Sequence, residues 1–310
     1  MKPFLALSRT THGILDIAAP AFCALLWLGK FPPWQVILLS LFTAFAGYTA
    51  IYALNDLVGI RMDREKFSGE GINQGYAVEA SDMRYPLAQH VLGYRSGLIW
   101  FFFWFVLAFI GAYLLNPAII VILVAATGLE IIYCLLFKVT YLRTLVSGLV
   151  KVSGPLAAVF VVAANPPWRL LLLQIMWLLF WEVGGQNIPA DWNDVEEDKR
   201  VNAKTIPLLF GTEKAGLIVV ISLTLSTIMS LFLPLISPIR LGLPYLLASL
   251  LAGYFLLLKP GFQLYQSRES RQAAKLFDKA SYYPLAQLLI IVFFVVYAGY
   301  LHQSIGFGKF

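Results

Sequence analysis

The chain alternates long apolar runs with short polar joints. Nine runs come close to or exceed the roughly 20 residues that an α-helix needs to cross a bilayer: 12–30, 34–55, 96–115, 117–137, 144–164, 168–188, 214–235, 240–259 and 283–303. In stretches such as Ile99–Leu115 and Leu285–Ala298 no polar face recurs every turn, which excludes a soluble protein with buried helices. The pattern predicts an all-α, polytopic membrane protein: about nine transmembrane helices around a central cavity, with Asp-rich loops at one face. The first run lacks a small-residue cleavage site before Lys30 and reads as a retained helix rather than a signal peptide. No long polar linker divides the chain, so residues 1–310 are expected to form a single membrane domain.

Composition agrees, with 59% hydrophobic and 13% charged residues. The placement of charge adds an orientation. Of 23 Lys and Arg, Lys2 and Arg9 precede the first run, and sixteen lie in the joints after runs 2, 4, 6 and 8. Only Lys30, Arg169, Arg240 and Lys309 fall on the opposite side, and Lys151 lies within a run. Because cytoplasmic loops carry the Lys/Arg excess, the N-terminus is expected inside and the C-terminus outside. A net charge of +6 then needs no nucleic acid, since anionic lipid and an anionic substrate account for it.

The acids are sparse and clustered. One cluster reads Asn55-Asp56-Leu57-Val58-Gly59-Ile60-Arg61-Met62-Asp63, the other Asp191-Trp192-Asn193-Asp194-Val195-Glu196-Glu197-Asp198. Each has two Asp seven residues apart, Asp56 and Asp63 in the first and Asp191 and Asp198 in the second, and the second adds Asp194 three residues after Asp191. On a helix these positions share a face. The clusters follow runs 2 and 6, which suggests a weak repeat of a four-helix unit. Carboxylates aimed one way repel unless a cation sits among them, and Mg²⁺ binds through a few carboxylates plus substrate phosphates. Asn55, Asp56, Asp63, Asp191, Asp194 and Asp198 are the candidate metal ligands. Lys138, Arg64, Lys199 and Lys204 are candidate phosphate partners, Lys138 foremost because it stands alone after run 4. Within the runs lie Asp16, Glu130 and Glu182, costly in a bilayer and so candidates for a role in the chemistry. Glu182, Gln186 and Asn187 are expected to face a polar cavity, with Pro189 kinking or ending the helix before Asp191. Cys23, Cys134, His12, His90 and His302 form no spaced metal or disulfide motif.

The chain resembles the UbiA superfamily of intramembrane prenyltransferases. Their first motif has the form N-D-x-x-D-x-x-x-D and their second D-x-x-D-x-x-x-D. The second is complete here and continues through Asp198-Lys199-Arg200 to Lys204-Thr205-Ile206-Pro207, followed by Gly211. Tyr133 through Lys138 is similar to a Tyr-to-Lys stretch of the family, and Arg84-Tyr85-Pro86-Leu87 to its R-P-L element. The departures are Gly59 in place of an Asp and a longer 61–95 joint, whose Ser68-Gly69-Glu70-Gly71 and Gly75 read as lid-like.

The resemblance implies Mg²⁺-dependent transfer of a prenyl group from a prenyl diphosphate to a lipophilic acceptor, with release of pyrophosphate. An aromatic quinone precursor is the expected acceptor; glyceryl lipid, phosphoribose and porphyrin are alternatives. Asp191, Asp194, Lys138 and Glu182 are then the expected catalytic residues. Asn187 and Tyr133 join Arg64, Lys138, Lys199 and Lys204 in substrate binding. Tyr48, Tyr52, Tyr133, Trp177, Trp181 and Trp192 are candidates to stabilise an allylic cation through their ring faces. A transporter would carry its acids near the midplane rather than at one face. A non-catalytic prenyl-diphosphate binder is the other competing class.

Overall fold

The computed structural model describes residues 1–66 and 85–306, with side chains to residue 300. Ser68 to Gly71, Gly75 and Arg84, singled out in the sequence, lie outside the described residues. Three short helices open the chain: α1 (Lys2–Leu7), α2 (Thr10–Asp16) and α3 (Ala18–Leu28). Next come α4 (Trp34–Lys66), α5 (Tyr94–Leu115), α6 (Ala118–Leu135), α7 (Arg143–Val162) and α8 (Trp168–Glu182). A π-helical turn, Val183–Asn187, leads into α9 (Ile188–Asn193) and α10 (Val195–Arg200). The remainder is α11 (Ile206–Ser230), α12 (Gly242–Gly253), α13 (Lys259–Ser267), α14 (Ser270–Ser281) and α15 (Tyr283–Gly306). Among the described residues there is no strand.

Eight stretches among the described residues are long and apolar enough to cross a membrane. The predicted run 168–188 is helical but is not one of them. Arg169, Gln174 and Glu182 dilute its apolar character. The predicted run 34–55 ends too early. The helix continues to Lys66, 33 residues in all, or about 50 Å at 1.5 Å per residue. Its last turns therefore project beyond a hydrocarbon core of about 30 Å and carry Asp63 and Lys66 with them.

Two regions expected as loops are helical. Residues after Asp191 form α9 and α10, and the basic joint after run 8 forms α13 and α14. Helix α14 is amphipathic, burying Ala273, Leu276, Phe277 and Ala280 at helical spacing. It packs on α9, α13 and the π turn.

Helix α4 packs on α5 and α6, α6 on α7, and α7 on α3 and α8. One core, which includes Trp177, Trp181, Leu223 and Tyr283, joins α8, α11 and α15. A cavity of about 500 Å³ is lined by residues of α2 to α9, with Phe277 of α14 and Leu288 and Val292 of α15. It begins at Arg9, Asn55, Glu130 and Tyr133 and reaches Ile37, Leu115 and Val162. The 18 residues from Ile37 to Asn55 correspond to about 27 Å along α4.

Candidate active site

The two acidic clusters converge around two buried cations. Lys66 Nζ lies 2.5 Å from Asp198 Oδ1, and Arg143 Nη1 donates to Asp191 Oδ1 at 3.1 Å. The Lys66 ammonium also acts electrostatically on Asp63 from the first cluster and on Asp191 and Asp194 from the second. Asp56, Asp63, Asp191, Asp194 and Asp198 are all buried. Asp194 sits at the joint of α9 and α10, and its carbonyl accepts the Asp198 amide at 2.8 Å. Aromatic rings hold the cations in place. Arg143 lies 4.2 Å from the Tyr133 ring centre and 4.6 Å from that of Phe137, and Lys66 lies 4.4 Å from Phe137. Burial pushes the Asp191 and Asp198 carboxyls above the usual carboxylate range. The cations pull them back, Arg143 foremost at Asp191 and Lys66 at Asp198.

Lys138 does not stand alone. It donates to the exposed Glu65 at 2.8 Å and is itself half-buried, because the longer α4 brings Glu65 up to it. Arg64, Lys199 and Lys204 are exposed as well. In the sequence Lys66 and Arg143 count only among the charges of one membrane side, yet both are buried in the site. Lys66 follows Asp63 by three residues on one helix face, a signal that becomes visible once α4 is extended.

At the cavity's edge, Arg9 Nη2 reaches Asn55 Oδ1 at 3.4 Å and Asp56 Oδ1 at 3.5 Å. Asn55 Nδ2 donates to Glu130 Oε1 at 2.5 Å. Lys151 Nζ donates to Asp16 Oδ2 at 2.6 Å and to Tyr52 Oη at 2.8 Å, with His12 Nε2 3.4 Å away. The Tyr52 hydroxyl donates to Asp16. Ser147 Oγ donates to Glu182 Oε1 at 2.9 Å, and Asn187 Nδ2 to Tyr133 Oη at 3.2 Å. Glu182, Gln186 and Asn187 all line the cavity, as expected. Gln186 Nε2 also donates to the Phe277 carbonyl and to Ser281 of α14, both at 3.2 Å, while Asn187 bonds Tyr133. Of the six aromatic candidates, Tyr48, Tyr52 and Tyr133 line the cavity. Trp177 and Trp181 instead bond Tyr283 and the Ala280 carbonyl within the core, and Trp192 is buried there too.

The donor set is all hard oxygen, the chemistry of Mg²⁺. Asp191 Oδ2 is a buried acceptor with no hydrogen-bond partner. Among the described residues, however, no three acids, cysteines or histidines stand close enough to hold a metal by themselves. The carboxylates therefore fit a divalent ion that takes its other ligands from a bound polyanion and water, as Mg²⁺ in phosphate sites does.

Residues 17–291 match the UbiA prenyltransferase family. The chain is 27% identical over 248 residues to digeranylgeranylglyceryl phosphate synthase of Pyrococcus horikoshii, spanning 79% of this chain and 81% of the relative. Three solved structures share the fold. An apo UbiA homologue of Aeropyrum pernix K1 superposes with a TM-score of 0.70 at 13% identity, covering 91% and 97% of the two chains. A structure of digeranylgeranylglyceryl phosphate synthase gives 0.67 at 16% identity, covering 95% and 98%. A UbiA homologue of Archaeoglobus fulgidus bound to DMAPP and Mg²⁺ gives 0.65 at 15%, covering 93% and 99%.

Proposed function

The chain belongs to the UbiA prenyltransferase family, and on that premise we propose that this integral membrane prenyltransferase transfers a prenyl group from a prenyl diphosphate to a hydroxyl of a glyceryl-lipid acceptor, using Mg²⁺ and releasing pyrophosphate. The observation that carries the reading is the convergence of both Asp clusters with Lys66 and Arg143 directly above a long, mostly apolar cavity. Anionic headgroup and apolar tail of a prenyl diphosphate are matched by those two compartments. The acceptor class is supported by the Pyrococcus relative, named for a glyceryl phosphate product, rather than by the aromatic expectation drawn from the sequence.

Asn55, Asp56, Asp63, Asp191, Asp194 and Asp198 are the residues to hold Mg²⁺, on the cytoplasmic face. When bound there, Mg²⁺ supplies charge neutralisation of the departing pyrophosphate. The rest falls to the chain. Lys66 and Arg143 face the diphosphate oxygens from within the carboxylate layer, and their aromatic beds fix their positions. Arg64, Lys199 and Lys204, with the half-buried Lys138, form a basic rim that draws the anion in. As the C1–O bond lengthens, positive charge grows on C1, and the cavity-facing rings of Tyr48, Tyr52 and Tyr133 stabilise it by up to about 2 kcal/mol each in a desolvated site. The apolar cavity takes the tail and excludes water from the cation.

The test is a reconstituted assay with labelled prenyl diphosphate, Mg²⁺ or EDTA, and a panel of glyceryl-lipid, aromatic, porphyrin and phosphoribose acceptors. Metal-dependent label transfer to the glyceryl lipid supports the reading. Transfer confined to another acceptor overturns the acceptor, and absence of pyrophosphate release with all of them overturns the reaction.

A further inference from the structure

The cavity holds a second polar layer beneath the carboxylates. Glu182 precedes Asp191 by nine residues, and Lys151 follows Arg143 by eight. At 1.5 Å per residue each lies about 12 to 14 Å deeper than its counterpart. Asp16, Tyr52 and Ser147 belong to the same layer through their bonds to Lys151 and Glu182. An otherwise apolar cavity thus carries a connected group of polar side chains below the carboxylates, contributed by α2, α4, α7 and α8.

Most of that group is internally satisfied. Lys151 is committed to Asp16 and Tyr52. Glu182 is not fully committed. Its Oε1 accepts from Ser147, but Oε2 is buried with no hydrogen-bond partner, in a side chain 5% exposed that lines the cavity. Asn187 Oδ1, also lining the cavity and 5% exposed, has none either. The π turn separates these two acceptors by a single turn, and such turns concentrate at functional sites. Buried acceptors without donors are costly, so this pair of acceptors suits a ligand that donates hydrogen bonds, as an alcohol does.

We propose that Glu182 and Asn187 form the acceptor subsite, that it takes a hydroxyl-bearing acceptor, and that Glu182 is the base for its nucleophilic hydroxyl. This rests on the proposed transfer to a glyceryl-lipid hydroxyl. The hydroxyl oxygen forms the new bond to C1 as the C1–O bond to diphosphate breaks. The electron pair of that bond leaves with pyrophosphate, and the O–H proton passes to Glu182 Oε2. The product is an ether, with no change of oxidation state. Ser147 is a positioning residue, holding the carboxylate so that Oε2 faces the cavity. Lys151, committed to Asp16 and Tyr52, sets the local charge that Glu182 senses.

The test uses the full-length protein in nanodiscs with Mg²⁺, a geranylgeranyl diphosphate donor and a glyceryl ether phosphate acceptor. Glu182→Gln keeps the shape but cannot take a proton. Its transfer rate is expected to fall by about 100-fold or more, the range of a positioned general base, and the rise of wild-type kcat/KM with pH is expected to flatten. Binding of an unreactive prenyl thiodiphosphate, read by titration, is expected to stay within about twofold, which also reports folding. Ser147→Ala is expected to raise the acceptor KM several-fold with the donor KM unchanged, and supplies the second readout if Glu182→Gln does not fold. Glu182→Gln at wild-type turnover, or Ser147→Ala with an unchanged acceptor KM, overturns the subsite. Wild-type transfer only to a non-hydroxyl acceptor instead overturns the parent reading and takes this inference with it.

Discussion

Gly59 stands where the family's first motif has a carboxylate, and its geometry says what restoring one does. A Cβ there meets Asp63 Oδ2 at 3.1 Å, so an aspartate at 59 crowds Asp63 while adding a hard-oxygen ligand next to it. Gly59→Asp is expected to lower the Mg²⁺ concentration for half-maximal donor binding, measured by titration; an unchanged value shows that the first motif does not reach the metal. Arg143 tests the opposite charge. Its pair with Asp191 is buried on both sides, and removing one partner of such a pair costs about 3 to 5 kcal/mol. Arg143→Gln is expected to lower the unfolding midpoint by that equivalent in EDTA, with Mg²⁺ plus pyrophosphate recovering part of it. The raised Asp191 and Asp198 set a pH dependence too. In the folded state they bind protons more readily than in the unfolded chain, so their contribution is fully present at acid pH. It is lost as pH rises from about 4 towards neutrality. The EDTA-treated protein is expected to lose thermal stability over that window, and Mg²⁺ to flatten the loss. At this scale the aspartates were legible, because seven-residue spacing declares a shared helix face. Lys66 and Arg143 were not, since a basic residue beside a membrane helix looks the same whether it orients the helix or enters a site.

Elements were legible to the extent that length and hydropathy define them. The apolar runs became helices, but α4 continued eleven residues past its apolar part, because amphipathic turns propagate as helix when tertiary contacts favour it. Helices α10, α13 and α14 were hidden for the same reason: a search for apolar runs does not see a helix with one polar face. The π turn left only a chemical trace, Gly184-Gly185 before two amides. Its glycines admit close neighbours. A Cβ on Gly184 meets Ser222 Cβ at 2.9 Å, and one on Gly185 meets Ala280 Cβ at 2.8 Å. Gly185→Val overpacks α14 and is expected to cost about 1 to 3 kcal/mol, read as a lowered unfolding midpoint. It is also expected to raise the acceptor KM more than the donor KM, since Glu182 sits just before the turn. Equal changes in both indicate that the turn serves packing alone.

The molecule as a whole places a charged layer at one end of a cavity that carries a few polar groups and is otherwise apolar. Sequence predicted the charged layer and the membrane setting. The cavity emerges only when helices far apart in the chain meet. Its length makes a prediction of its own. Gly47 lines it about 12 Å along α4 from Asn55, with open space where a Cβ would go. Gly47→Phe is expected to leave turnover of short prenyl diphosphates near wild type while sharply reducing that of long ones, as measured by competition between donors. Loss of both indicates that the tail takes another route.

The central claim is that the converged aspartates carry metal-dependent prenyl transfer, and Asp194 tests it most directly. Purified wild-type and Asp194→Ala proteins in lipid, given labelled geranylgeranyl diphosphate, Mg²⁺ and a glyceryl ether phosphate, would be followed for pyrophosphate release and label transfer, with EDTA controls. The expected result is stoichiometric release and transfer by wild type, abolished by EDTA and by Asp194→Ala. Turnover by Asp194→Ala near the wild-type rate, or transfer by wild type that persists in EDTA, contradicts it.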